Sequence, residues 1–193
     1  MNSQFEESSL VTHLSHFIPI SAELEDYLLR FTTKLNVEKN AHLVSINERS
    51  DSLYFIEKGL MRGYYFDNGK EITNWFAQEQ EFGTCFYAFV ANTISYEAIQ
   101  AIEDCALIQI TQSTLKELYV KFPETERIGR IITENYYIKL EERLLNIQFK
   151  TAKERYQNVL HKKASLLQRA SLGQIASYLG ITQETLSRIR AEL

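Results

Sequence analysis

The sequence predicts an α+β chain: an antiparallel β domain first, then one long helix, then a helix-turn-helix at the C-terminus. Three observations carry this. Short runs rich in branched and aromatic residues recur between turn signals as far as Thr111. The stretch from Glu124 to Phe149 keeps a helical period and contains no proline. Residues 171–193, SLGQIASYLGITQETLSRIRAEL, hold two helix-capping signals on either side of a glycine.

Composition sets the class. The chain has 193 residues, 45% hydrophobic and 12% aromatic, with only 7 Gly and 2 Pro, enough apolar side chain for a packed core and too little Gly and Pro for a fibrous chain. No apolar run approaches the ~20 residues of a membrane span. The start, MNSQFEESSLVTHL, lacks a basic segment followed by an apolar one, so no secretory leader is expected and the protein is read as cytoplasmic. Cys85 and Cys105 are too few for a zinc or iron–sulfur site and are expected as small buried side chains, with no metal centre.

Taken in order, SAELEDYLLRF (21–31) reads as an amphipathic helix with Ser21 as its cap. HLVSI (42–46), LYFIEKG (53–59), LMRGYYF (60–66) and EITNWFA (71–77) read as strands, with Asp67-Asn68-Gly69-Lys70 as a hairpin turn. YEAIQAI (96–102) and CALIQIT (105–111) follow, with Glu103-Asp104 expected as a tight turn between them. Many short strands at near-regular spacing indicate a sandwich or roll. STLKELYVKFP then makes a short helix that Pro123 closes.

In the long helix, Ile131, Asn135, Ile138, Glu142, Leu145 and Phe149 fall at alternating steps of four and three, the seam spacing of a coiled coil, which predicts a dimer interface. The alternative is a helix packed on its own β domain. Thr151 with Glu154 forms a capping box and starts a new helix. The expected boundaries are therefore 1–123 for a sensor domain, 124–149 for the dimerisation helix and 150–193 for the helix-turn-helix. Charge changes at the same place. From Lys150 onward eight basic residues stand against three acids, a balance of +5 that leaves −9 on the rest of a chain of net −4. A basic end on an acidic body suits a partner that is a polyanion.

The C-terminal motif is the most specific. Ser171 with Gln174 is a second capping box, Gly180 closes the first helix, and Thr182 caps the next. Ile175, Leu179, Ile181, Leu186 and Ile189 supply a shared core, and Ala176 must be small where the second helix crosses. Gln183, Glu184, Ser187 and Arg188 would then face a major groove, Arg pairing with guanine, Gln with adenine and Glu with cytosine. Ser171, Thr182 and Thr185 are candidates for phosphate contacts, as are Lys162 and Lys163.

LYFIEKGLMRGYYFDNGKE, Phe82-Gly83, the long helix and IASYLGITQETLSRIR together resemble the Crp/Fnr family of bacterial transcription regulators. The resemblance implies a cyclic-nucleotide-binding-like β-roll, a homodimer through the long helix, and a winged helix-turn-helix on a palindromic operator, with RNA polymerase as a further partner. Recognition helices of such a dimer would lie roughly 34 Å apart. The resemblance also implies a phosphate cassette of the form Phe-Gly-Glu…Arg-Ala/Ser. Here Thr84 stands where its Glu belongs, and Ser95 and Tyr96 where its Arg and small neighbour belong. Without that Arg a charge-assisted phosphate contact of roughly 1.5–3 kcal/mol is missing, so cyclic AMP is not the expected ligand. Trp75, Phe82, Tyr87 and Tyr96 suggest a more apolar or aromatic pocket, or none at all; the pocket candidates are Trp75, Phe82, Gly83, Thr84, Ser95 and Tyr96, and no effector or cofactor is named. No cysteine cluster suits an iron–sulfur sensor, and His13, His16, His42 and His161 are expected at the surface rather than on a haem. Leu193 falls at the end of the second helix, so the β-hairpin wing is expected to be short or absent and affinity to lean on residues 150–169.

Two rival readings remain. A cupin-type enzyme needs clustered His and Glu ligands, and only His42 lies in the β region, so no enzyme is expected. A ligand- or partner-binding module with a vestigial DNA-binding head would keep the dimer and lose DNA affinity.

Overall fold

The computed structural model describes residues 8–192. The leader reading concerns the start of the chain, of which residues 1–7 lie outside the described part, as does Leu193. Two helices come first, α1 (Ser9–Ser15) and α2 (Ala22–Phe31). Ser21 caps α2 as expected, its hydroxyl accepting from the Leu24 N–H at 3.1 Å. The shorter α1 has no side-chain cap and is held by Leu10, Val11 and Leu14, all buried, so tertiary packing rather than local signals makes it a helix.

Eight strands follow: β1 (Thr33–Val37), β2 (His42–Val44), β3 (Ser52–Lys58), β4 (Met61–Asp67), β5 (Lys70–Ala77), β6 (Phe82–Gly83), β7 (Ala98–Ala101) and β8 (Cys105–Thr111). They form two antiparallel four-stranded sheets, ordered β1-β8-β3-β6 and β2-β7-β4-β5. The β4–β5 hairpin turns at Asn68 and Gly69, both at positive φ, as the sequence predicts. The expected turn between the last two strands is different. β7 and β8 lie in opposite sheets, so Glu103 and Asp104 carry the chain across the roll instead of closing a hairpin. Turn residues specify a change of direction but not which sheet receives the next strand. β1, β6 and the short helix α3 (Phe86–Ala91) carry too little pattern to have been read from sequence.

The inner faces of the sheets meet in one apolar core that includes Val44, Tyr54, Ile56, Met61, Ile99 and Leu107. Cys85 and Cys105 belong to it as free thiols, and burial pushes the Cys85 thiol up to about 11. A second core packs α1, α2, α4 (Gln112–Lys121) and the first turn of α5 (Thr125–Phe149) on the outer face of β3 and β8.

The C-terminal part adds α6 (Ala152–Lys162), α7 (Leu166–Arg169), α8 (Leu172–Leu179) and α9 (Gln183–Ala191). Their apolar side chains do not form an isolated core. Leu60, Phe76 and Ile102 of the roll are buried together with Leu166, Ile175, Leu179, Leu186 and Ile189 of the head. No described helix is long and apolar enough to cross a membrane.

Candidate nucleic-acid interface and effector cavity

The helix-turn-helix is built by local rules. Both capping boxes form: Thr151 with Glu154 opens α6, and Ser171 with Gln174 opens α8. Gly180 ends α8 at φ +66°, a left-handed conformation that costs glycine little. Thr182 then caps α9, accepting from the Thr185 N–H at 3.2 Å. Ala176, Leu186 and Ile189 are buried where the helices cross, and Ile181 is half-buried beside them.

This arrangement leaves Gln183, Glu184, Ser187 and Arg188 exposed on one side of α9, with Thr182 and Thr185 at its start and Ser171 at the start of α8. Gln183 leans back over Gly173, where a Cβ would meet its amide nitrogen at 2.7 Å. Arg188 forms no ion pair with Glu184 among the described residues; its guanidinium donates to the Thr185 hydroxyl at 3.4 Å. The hydrogen bonds at the head of α9 hold the Glu184 carboxyl below its ordinary value, so it is a ready acceptor.

The basic charge expected to meet phosphate is disposed differently. Lys162 pairs with Glu142 at 3.0 Å, and Lys163 with Glu81 at 3.2 Å. Arg169 bridges Glu79 at 2.8 Å and Glu103 at 2.6 Å. Lys163 and Arg169 therefore hold the head on the acidic roll, and Lys162 holds it on α5. Arg188 and Arg190, in contrast, are exposed and outside any ion pair among the described residues.

Further bonds join head and roll. The Thr73 N–H donates to the Ser177 hydroxyl at 3.2 Å, and Phe76 meets Tyr178 edge-on at 5.3 Å. Arg143 of α5 lies over the Tyr178 ring at 4.6 Å and donates to the carbonyls of Tyr178 and Thr73, each at 3.2 Å.

Helix α5 presents more apolar surface than the expected seam. Ile138, Leu145 and Phe149 of that seam are exposed, but Glu142 is engaged by Lys162 of the same chain. A second stripe, Tyr137, Leu140, Leu144 and Ile147, repeats the same three–four spacing without a polar interruption and is also exposed. The spacing was present in the sequence; which stripe stays free depends on where the head packs.

A cavity of about 950 Å³ runs between the roll, α5 and the head. Trp75, Phe82, Gly83 and Thr84 line it, together with Phe86 and Tyr136, whose rings stack at 4.2 Å. Ser95 and Tyr96 do not line it. Ser95 is buried, its hydroxyl donating to the Glu97 carbonyl at 2.7 Å, while Tyr96 points outward beside Tyr87 at 5.9 Å. The Thr84 hydroxyl donates to the Ser52 carbonyl at 2.9 Å. Both hydroxyls at the expected phosphate positions are thus bound to backbone.

Sequence reasoning missed Asn74 and Glu97. Glu97 is 6% exposed and accepts from the Asn74 amide at 2.8 Å. Burial raises its pKa, opposed by Asn74, Trp75 and Arg143. Of the histidines, His16, His42 and His161 are exposed as expected, but His13 is half-buried against Phe17, Phe55 and Phe82, and burial lowers its pKa.

Comparison with known proteins places this geometry. The family model of the cyclic nucleotide-binding domain matches residues 34–122, which span the eight strands almost entirely. Among solved structures, FixK2 from Bradyrhizobium japonicum is 21% identical with a TM-score of 0.71, covering 84% of each chain. A regulator assigned to the Crp/Fnr family from Eubacterium rectale is 16% identical with a TM-score of 0.71, covering 92% of this chain and 87% of that one. The c-di-GMP-responsive global regulator CLP of Xanthomonas campestris is 15% identical with a TM-score of 0.70, covering 89% and 91%. Comparison with curated protein sequences gave no match. Residues 34–122 thus match the cyclic nucleotide-binding domain model, within a chain that has the fold of solved Crp/Fnr-type regulators.

Proposed function

We propose that the chain is a homodimeric DNA-binding transcription regulator whose roll governs its head and does not respond to cyclic AMP. The observation that carries this is α9: a capped helix crossing α8 over Ala176, with Gln183, Glu184, Ser187 and Arg188 exposed on one side. In this reading those four side chains read bases, while Ser171, Thr182 and Thr185 bond the flanking phosphates. The neighbouring folds support it, FixK2 and the Eubacterium rectale regulator among them. That CLP responds to c-di-GMP supports a roll of this kind serving signals other than cyclic AMP.

Dimerisation runs through α5, with a second copy covering Tyr137, Leu140, Leu144 and Ile147. That stripe is favoured over Ile131, Asn135, Ile138, Glu142 and Leu145 because its apolar run is unbroken and its side chains are not engaged by the head. The experiment is selection of genomic fragments by the purified protein, with and without cyclic AMP. An enriched palindrome indifferent to cyclic AMP is the expected outcome; enrichment only with cyclic AMP would overturn the reading of Thr84 and Ser95. Light scattering on Leu144→Glu and Leu145→Glu variants separates the stripes, and the first is expected to be monomeric.

One observation favours a second reading. Lys162, Lys163 and Arg169 are engaged by the chain's own acids, which suits a module with an idle head. No enriched sequence in either selection would support it.

A further inference from the structure

The roll interior is not vacant. Strands β4 and β5 pair in register from Met61↔Ala77 to Gly63↔Trp75 and then shift, so that Tyr64 faces Thr73. Asn74 is the extra residue of a β-bulge, and there its amide donates to the buried Glu97 carboxyl at 2.8 Å while Trp75 resumes the pairing with Gly63.

The indole of Trp75 then fits a gap made by two glycines. A Cβ on Gly63 would overlap the ring, and one on Gly83 would stand 3.2 Å from its Cη2 atom. The ring packs against the core between the sheets, beside Met61. Gly83 is the second residue of the phosphate-cassette segment, and Glu97 directly follows its last, Tyr96. The indole thus lies where the cassette meets the sheet, one residue along β5 from the Asn74 amide that donates to the buried Glu97 carboxyl.

We infer that Trp75 is an internal ligand: the chain's own indole occupies the effector seat of the roll and holds the head in place without a small molecule. The chemistry of the seat is opposite to that for a cyclic phosphate. A buried carboxyl with donors turned towards it accepts a flat aromatic carrying an N–H and repels an anion. Coupling to the head is direct, because the residues flanking the bulge are the ones that touch it: Thr73 bonds Ser177, and Phe76 packs on Tyr178. Removing the indole frees β5 to move, and with it the surface on which α8 rests.

The inference rests on the regulator reading for its consequence at the DNA and on the fold alone for the seat, so the test has two arms. Trp75 is the only tryptophan in the chain, and its emission reports the seat directly. In the native protein, millimolar cyclic AMP is expected to leave that emission unchanged; a saturable change would overturn the inference. The Trp75→Gly variant is expected to melt about 10 °C lower, and free indole to restore several of those degrees by filling the hole while leaving the native protein unaffected. No rescue by indole in a folded variant would overturn it. If Trp75→Gly does not fold, Trp75→Phe keeps the ring and loses the N–H, and is expected to fold without any response to cyclic AMP; acquiring one would overturn the inference. In the second arm, Trp75→Gly binds the selected palindrome about tenfold more weakly and indole recovers the affinity. If native protein binds no DNA sequence while indole rescue of melting persists, the regulator reading fails and the internal ligand stands.

Discussion

The recognition helix and the cassette are both segments of family pattern, and they treat their polar groups in opposite ways. Along α9 Gln183, Glu184, Ser187 and Arg188 are exposed, and Arg188 and Arg190 lie outside the ion pairs that hold the head. Along the cassette the hydroxyls of Thr84 and Ser95 are turned inward: Thr84 bonds the Ser52 carbonyl, and Ser95 bonds the Glu97 carbonyl. A polar group already satisfied by backbone offers a ligand little, because the exchange gains almost nothing. The difference separates a surface whose polar groups are exposed from a segment whose hydroxyls are already satisfied by backbone.

Four measurements break or sharpen this contrast. The largest effect is expected from Leu186→Ala, which opens a cavity where α8 and α9 cross; chemical denaturation should show a loss of about 3 kcal/mol, and DNA binding should go with it. Arg188→Ala is expected to cost about 2 kcal/mol of affinity for the selected operator while non-specific binding barely changes. Equal losses on both would move Arg188 from base readout to phosphate contact. Arg169→Ala tests the latch and should cost about 1 kcal/mol, since partly exposed pairs are screened. Its bond to Arg169 brings the Glu79 carboxyl from 4.5 down to about 2. Stability from that pair is present above pH 4.5 and fades as the pH falls towards 2, so the variant should lack this part of the acid limb. The smallest effect is at Glu97→Gln. A raised carboxyl pKa means the fold favours the proton, so native stability declines as pH rises past the ordinary carboxylate value. The Gln variant should match the native protein in acid and exceed it by up to about 1 kcal/mol at neutral pH, read as melting temperature.

The head was legible because its determinants are local. Ser171, Gln174, Gly180 and Thr182 act within a turn of themselves, and the structure realises each cap. The long helix was legible as a helix, but its free face was not. A 3.6-residue period admits two stripes on α5; Asn135 and Glu142 interrupt one of them, and the structure adds that Glu142 is taken by Lys162. The seat was the least legible. A bulge at Asn74 leaves no mark in a strand of alternating residues, and the meeting of Trp75 with Glu97 joins positions in β5 and at the entrance to β7 through sheet pairing alone. His13 followed the same rule, drawn into an aromatic cluster that spans α1, β3 and β6.

The docking of α8 has a consequence for solubility. β5 ends its sheet, and its outer edge would offer unpaired backbone groups to any extended chain nearby. Ser177 takes the Thr73 N–H, and Tyr178 covers Phe76. A head that swung fully away would bare an apolar strand edge and invite edge-to-edge aggregation. Any motion of the head that avoids this must be a short slide along β5, or one that ends with another surface laid over that strand.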